Sequence, residues 1–160
     1  MGQKAATGVT VTFTPIFRDQ FLFVRRQLDD PILAGFWCFP GGKVHAGETL
    51  AGALVRECLE ETSLEPTGRV FFVDSYLLGD RVGAHFALEV TGNTVKLDEL
   101  HEHVWVKHPD ELKAFTPRIP GIENHLHYIY DHLARTTKTP DLAWHYLDQY
   151  DLVSKRFLNR

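Results

Sequence analysis

Between residues 9 and 14 the chain alternates, with Val9, Val11 and Phe13 on one side and Thr10, Thr12 and Thr14 on the other. This period of two predicts a half-buried strand, and Pro15, which has no N–H to give to a ladder, predicts its end. After Arg18, Asp19 and Gln20 comes Phe21-Leu22-Phe23-Val24, apolar on both faces and closed by Arg25-Arg26. A strand covered on both sides has this pattern, and this one delivers two cations at its end. Further strands are predicted over 69–77, 84–90 and 103–106, separated by glycine and asparagine turn signals. Two segments switch to helical spacing. Residues 49–62 lack proline and set Leu50, Ala53, Leu54 and Cys58 three and four apart, with Thr49 as the N-cap. Ile122, Leu126, Ile129 and Leu133 repeat in the same way after Pro120-Gly121, predicting a second helix over 122–135. The order of elements implies an α/β fold, a mixed sheet with helices on both faces. Past the polar break Thr136-Thr137-Lys138-Thr139-Pro140, residues Ala143, Tyr146, Tyr150, Val153 and Phe157 again step by three and four. Residues 1–135 are therefore expected to form one domain and 136–160 a helical extension. Its aromatic stripe would pack on its own domain, on a partner protein or on a second subunit.

A chain of 160 residues suits a single hydrophobic core. With 44% hydrophobic and 24% charged residues it falls outside the disordered and collagenous classes. No apolar run nears the roughly 20 residues that span a bilayer, and the start of the chain lacks the apolar block of a secretory signal. A cytoplasmic protein with no membrane partner is the expectation. The net charge of −4 argues against a nucleic-acid polymer as partner and leaves a small phosphate ligand open. Cys38 and Cys58 sit in apolar surroundings without CxxC spacing, so two reduced, packed thiols are expected.

The acids of the first helix change the picture. Counting 100° per residue from Leu50, Leu54 falls at about 40°, Glu57 at about 340°, Glu61 at about 20° and Glu60 at about 280°. Glu57 and Glu61 therefore share the apolar stripe. Carboxylates gathered on a buried side repel one another and lose hydration unless something positive sits among them, and a hard divalent cation answers that need with oxygen ligands alone. The bland alternative is a charged helix end paired with Arg56. The preceding Pro40-Gly41-Gly42 turn can bring main chain close to whatever the helix holds, although a double glycine by itself is only a turn.

The run Gly42-Lys43-Val44-His45-Ala46-Gly47-Glu48-Thr49-Leu50-Ala51-Gly52-Ala53-Leu54-Val55-Arg56-Glu57-Cys58-Leu59-Glu60-Glu61-Thr62-Ser63-Leu64 closely resembles the Nudix box. That pattern is a glycine, five residues, Glu, seven residues, Arg-Glu, an aliphatic, any residue, Glu-Glu, any residue, Gly and an aliphatic. The chain departs from it at Ser63, where the family has glycine, and Cys58 fills an aliphatic position. Arg25-Arg26, the Gly35-Phe36-Trp37 stretch and the Trp105 strand are also similar to family members, so the resemblance covers residues 7–135. It implies an α/β/α sandwich and hydrolysis of a nucleoside diphosphate linked to another group, with Mg²⁺ or Mn²⁺. By the same resemblance Glu57, Glu60 and Glu61 are metal ligands, and Gly41 adds its carbonyl. Glu48 and Arg56 clamp the loop to the helix. Glu57 or Glu99 is the general base; Glu99 is taken ahead of Asp98 and Glu102 because it precedes Trp105 at the matching distance. Arg26 meets the substrate phosphates.

Among the remaining candidates, Phe36 and Trp37 lie in a loop that a base could reach, whereas Phe39 and Trp105 read as core. The pairs His101/His103 and His125/His127 carry little weight as a transition-metal site, since a helical i,i+2 pair points to different faces and no cysteine joins them. The phrase Phe39-Pro40-Gly41-Gly42-Lys43-Val44 resembles enzymes that act on undamaged or damaged (deoxy)nucleoside triphosphates, while the long loop over 28–37 is similar to hydrolases of nucleotide sugars. The rival from another class is a nucleotide-sensing module without turnover. A homodimer through the C-terminal extension is the partner expectation beside the small-molecule nucleotide.

Overall fold

The computed structural model describes residues 8–136 and 144–147. Eight strands join one sheet: β1 (Val9–Phe17), β2 (Gln20–Arg26), β3 (Trp37–Cys38), β4 (Gly41–Lys43), β5 (Pro66–Leu78), β6 (Arg81–Val90), β7 (Leu100–Val106) and β8 (His145–Tyr146). The path runs β3-β2-β1-β6-β5-β8, with β4 on β1 and β7 on β2. β1 and β6 are parallel and the other strand pairs antiparallel, which makes the sheet mixed, as expected. Among the described residues, two helices flank the sheet, α1 (Leu50–Thr62) and α2 (Ile122–Arg135), along with a 3₁₀ turn at Pro109–Ala114.

The helices cover opposite faces. The His85 ring of β6 lies 4.6 Å from the His125 ring of α2. Its neighbour Phe86 points to the other face and lines an apolar pocket with Leu50, Ala51 and Leu54 of α1, Val70 and Leu147. Both sides of the central strands are thus dry, which accounts for the unbroken apolar run Phe21 to Val24 and its burial.

β1 does not end at Pro15. One edge of β1 is divided, with β4 pairing at residues 10 to 12 and β2 at residues 16 and 17. In the gap between them the Phe13 N–H donates to the Pro40 carbonyl at 2.9 Å. Two residues later Pro15 aims its nitrogen to the same side, where no ladder bond is required, and the strand passes through it to Phe17.

At the start of α1 the Thr49 hydroxyl accepts the Gly52 N–H at 3.0 Å. At its end Ser63 takes φ 59° and its N–H donates to the Leu59 carbonyl at 3.0 Å. Serine therefore occupies the left-handed position that the related pattern fills with glycine.

Cys38 and Cys58 are buried free thiols, and burial pushes each up to about 12. Of the expected C-terminal helix, Tyr146 lies instead in β8, opposite Arg69. Trp144 is only 9% exposed and sits 5.1 Å from the Phe71 ring, so this part of the extension belongs to the core. Ala143, Tyr150, Val153 and Phe157 lie outside the described residues. No helix among the described residues is long and apolar enough to cross a membrane.

Candidate active site

Glu57 and Glu61 are one turn apart on the buried side of α1, 8% and 4% exposed. The reason is the 3.6-residue period that puts them in line with Leu54, a 1%-exposed core residue. β4 runs over them. The Gly41 N–H donates to Oε2 of Glu61 at 2.9 Å, and any Cβ on Gly42 would overlap the Glu57 carboxylate. A Cβ on Gly41 would strike the Val11 carbonyl and Thr12. The two glycines are therefore needed for close approach, one toward β1 and one toward the acid.

Burial raises the Glu61 carboxyl from its ordinary value to about 7; the Gly41 N–H works against that rise, while Glu57 and Glu99 add to it and Arg26 offsets them. This carboxylate is held out of water close to other acids, which is the electrostatic situation that a cation relieves.

Arg56 ties the loop to the helix. Its Nε and Nη2 donate to the two oxygens of Glu48 at 2.7 and 2.8 Å. Nη2 also reaches the Lys43 carbonyl at 2.9 Å, and Nη1 reaches Glu57 at 2.7 Å and Glu60 at 3.2 Å. Five bonds match the five N–H groups of a guanidinium. Glu48 accepts the His45 N–H as well, at 3.0 Å, and Arg56 first, then His45, holds its carboxyl down at about 2. Arg56 thus links Glu48 and the Lys43 carbonyl to Glu57.

The other site residues are divided. Glu60 faces outward, 59% exposed, with its carboxylate on Arg56. Glu99 is exposed at the bend before β7 and is close enough to act on Glu61, whereas Glu102 stands opposite Arg25 in the ladder and bonds it at 3.2 Å. Arg26 also reaches Glu61 electrostatically. Phe36 is half-buried and its carbonyl accepts the Arg26 N–H at 2.9 Å. Trp37 does not offer a face to a base. It is 4% exposed, stacked on Phe23 at 5.5 Å and set against Phe115 at 4.8 Å, because β3 inserts it into the aromatic core. Gly41 meets the acids through its N–H.

A divalent cation suits this place by donor chemistry, since Glu57 and Glu61 are buried, mutually repelling oxygen donors. Glu60 joins them only by leaving Arg56. Among the described residues no three His, Cys, Asp or Glu side chains are already gathered as a ligand set.

Sequence reasoning missed one polar network. His85 is 1% exposed, and both ring nitrogens are bonded, Nδ1 to the Thr12 hydroxyl at 2.7 Å and Nε2 to the Thr14 hydroxyl at 2.9 Å. Thr12 also bonds the Tyr76 hydroxyl at 2.8 Å. Burial, then His125, holds the His85 imidazole well below its ordinary pKa, so it is neutral. The signal lay in a lone histidine within an apolar strand opposite a threonine row.

The chain is similar to known proteins in sequence and in fold. The "Putative 8-oxo-dGTP diphosphatase 2" of Mycobacterium tuberculosis is 42% identical over 86 residues, 54% of this chain and 55% of that protein. The chain thus matches about half the length of that curated relative. The solution structure of the E. coli ORF135 protein is similar with a TM-score of 0.60 and 27% identity, over 83% of this chain and 93% of that one. A MutT protein from Methanosarcina mazei Go1 has the same fold with a TM-score of 0.63 and 22% identity, over 86% of this chain and 100% of its own. The NUDIX domain pattern matches residues 6–149, nine-tenths of the sequence, and the chain therefore belongs to the NUDIX domain family.

Proposed function

We propose that the protein is a phosphoanhydride hydrolase dependent on Mg²⁺ or Mn²⁺. Its expected substrate is an undamaged or damaged (deoxy)nucleoside triphosphate, cleaved to monophosphate and pyrophosphate. The observation that carries this reading is the burial of Glu57 and Glu61 against the glycine turn, with Glu61 raised to about 7. The mycobacterial relative is named "Putative 8-oxo-dGTP diphosphatase 2", which favours the triphosphate class.

In this reading Glu57, Glu61 and, after leaving Arg56, Glu60 hold the cation beside Gly41. A bound divalent cation supplies charge neutralisation at the phosphoryl oxygens and makes water more acidic. The protein's own residues do the rest. Arg26 binds phosphate oxygens, Phe36 borders the group attached to them, and Glu57 or Glu99 takes the proton from the attacking water. Arg56 keeps Glu57 oriented, and Glu48 keeps Arg56 in place. Positioning and electrostatics carry most of the acceleration.

The test is turnover in ¹⁸O-water with Mg²⁺ against nucleoside triphosphates, oxidised triphosphates and nucleotide sugars, with products read by mass. Monophosphate plus pyrophosphate supports the proposal, and monophosphate plus sugar phosphate moves it to nucleotide sugars. Glu57→Gln should cut turnover by roughly 10²- to 10⁴-fold. Saturable binding without turnover of any substrate would make the chain a sensing module, against which the burial of two acids on the α1 stripe argues.

A further inference from the structure

Arg26 is already held before any ligand arrives. Its Nε and Nη2 both donate to Oδ2 of Asp30, at 3.0 and 2.6 Å. Asp30 is fixed in turn, because its other oxygen accepts the amides of Ile32 at 3.0 Å and Leu33 at 2.8 Å. The Leu33 amide first, then Arg26, holds its carboxyl down at about 2, so the anion persists. The backbone closes the same loop, since the Arg26 N–H donates to the Phe36 carbonyl at 2.9 Å. One edge of the guanidinium is therefore spent on a rigid carboxylate. The Nη1 group and one Nη2 N–H are left, on a cation whose field reaches Glu61.

We propose that Asp30 is a positioning residue for the reaction, holding Arg26 by its Nε/Nη2 edge so that the remaining N–H groups meet a substrate phosphate. The inference rests on the reading of Arg26 as a phosphate contact given above. Two physical effects of Asp30 oppose each other. Its charge repels a phosphate, so on electrostatics alone its removal tightens anion binding. Its bonds orient the donor, so by positioning its removal weakens anion binding. The sign of the change decides between them.

The full chain is titrated calorimetrically with inorganic pyrophosphate in the presence of Mg²⁺, as wild type, Asp30→Asn, Asp30→Glu, Arg26→Ala and the Arg26→Ala/Asp30→Asn double variant. Asn at position 30 keeps an oxygen for the two amides and loses the acceptor for Arg26; Glu keeps the charge and moves it by one methylene. Both single variants at Asp30 should bind about tenfold more weakly. The double variant should bind no more weakly than Arg26→Ala, since Asp30 acts only through Arg26. With substrate, KM should rise in Asp30→Asn while kcat is kept, and hydrogen exchange at the Leu33 amide should stay as in wild type. Tighter or unchanged binding in the Asp30 variants, or losses that add in the double variant, would overturn the role of Asp30 alone. Unchanged binding in Arg26→Ala, or no pyrophosphate binding by the wild type, would overturn the phosphate reading of Arg26 and the proposal with it.

Discussion

Ser63 holds φ 59° with a side chain that disfavours it. Replacing it with glycine removes that steric cost and should stabilise the fold by about 1 kcal/mol, read as a higher urea midpoint at unchanged slope. An unchanged midpoint would mean that α1 ends there without strain. Glu61 gives a prediction in pH. Its folded value of about 7 stands above the ordinary 4.5, so between those values the folded state keeps a proton that the unfolded state has lost, and stability falls as pH rises through the window. His85 works in the opposite direction, because its depressed value makes the unfolded chain the better proton binder below about 6.5. The difference between metal-loaded and metal-free protein isolates Glu61: the stabilisation given by saturating Mg²⁺ should grow between pH 5 and 7.5, by an amount on the order of 2 kcal/mol. Denaturation midpoints with Mg²⁺ and with EDTA measure it, and a pH-independent difference would take Glu61 out of the cation site. At this scale the sequence was informative where helical geometry ruled. The 100° step put Glu57 and Glu61 on the buried stripe and Glu60 about 80° to one side, which is where the structure has them. Nothing in spacing reveals that Asp30 holds Arg26, because that bond depends on how a ten-residue loop folds back.

Among the elements, α1 and α2 were legible because each is long and carries a clear period, and β2 because an unbroken apolar run closed by charges marks a strand covered on both faces. β3, β4 and β8 have two or three residues each, too few to show alternation, and β4 is written in glycines. The end of β1 was misread for a different reason. Pro15 forbids one hydrogen bond, and whether that bond is wanted depends on how β4 and β2 divide the edge. The parallel pairing of β1 with β6 sets Thr12 directly opposite His85. A shift by one residue would turn the imidazole to the α1 face and strand both hydroxyls. His85→Leu should therefore cost about 1 to 3 kcal/mol, through Thr14 left unpaired and Thr12 left with Tyr76 alone, and His85→Leu with Thr12→Val and Thr14→Val should recover part of it. Thermal melts of the single and triple variants test this; equal melting points would show that the network contributes only shape.

For the whole molecule, the α/β/α layering followed from the order of elements, but the boundary at residue 135 did not anticipate that the chain returns to the sheet. Trp144 and β8 cover the start of the long β5 strand. Truncation after Arg135 should thus cost on the order of 3 kcal/mol from the lost indole packing alone. The same variant decides the homodimer expectation: a chain that unfolds earlier in urea yet keeps the oligomeric state of the full-length protein would exclude the extension as a subunit contact. Retention of the full urea midpoint would show that Trp144 adds nothing to the core.

The five-bonded Arg56 has a kinetic consequence. With Glu48 and Lys43 fixed by one cation, the ordering entropy of the loop over 43–48 is lost during folding and not at encounter with a ligand. Association then needs no slow rearrangement of that loop. Its rate should follow diffusion and ionic strength, and stopped-flow traces of ligand binding to this part of the site should show a single concentration-dependent phase.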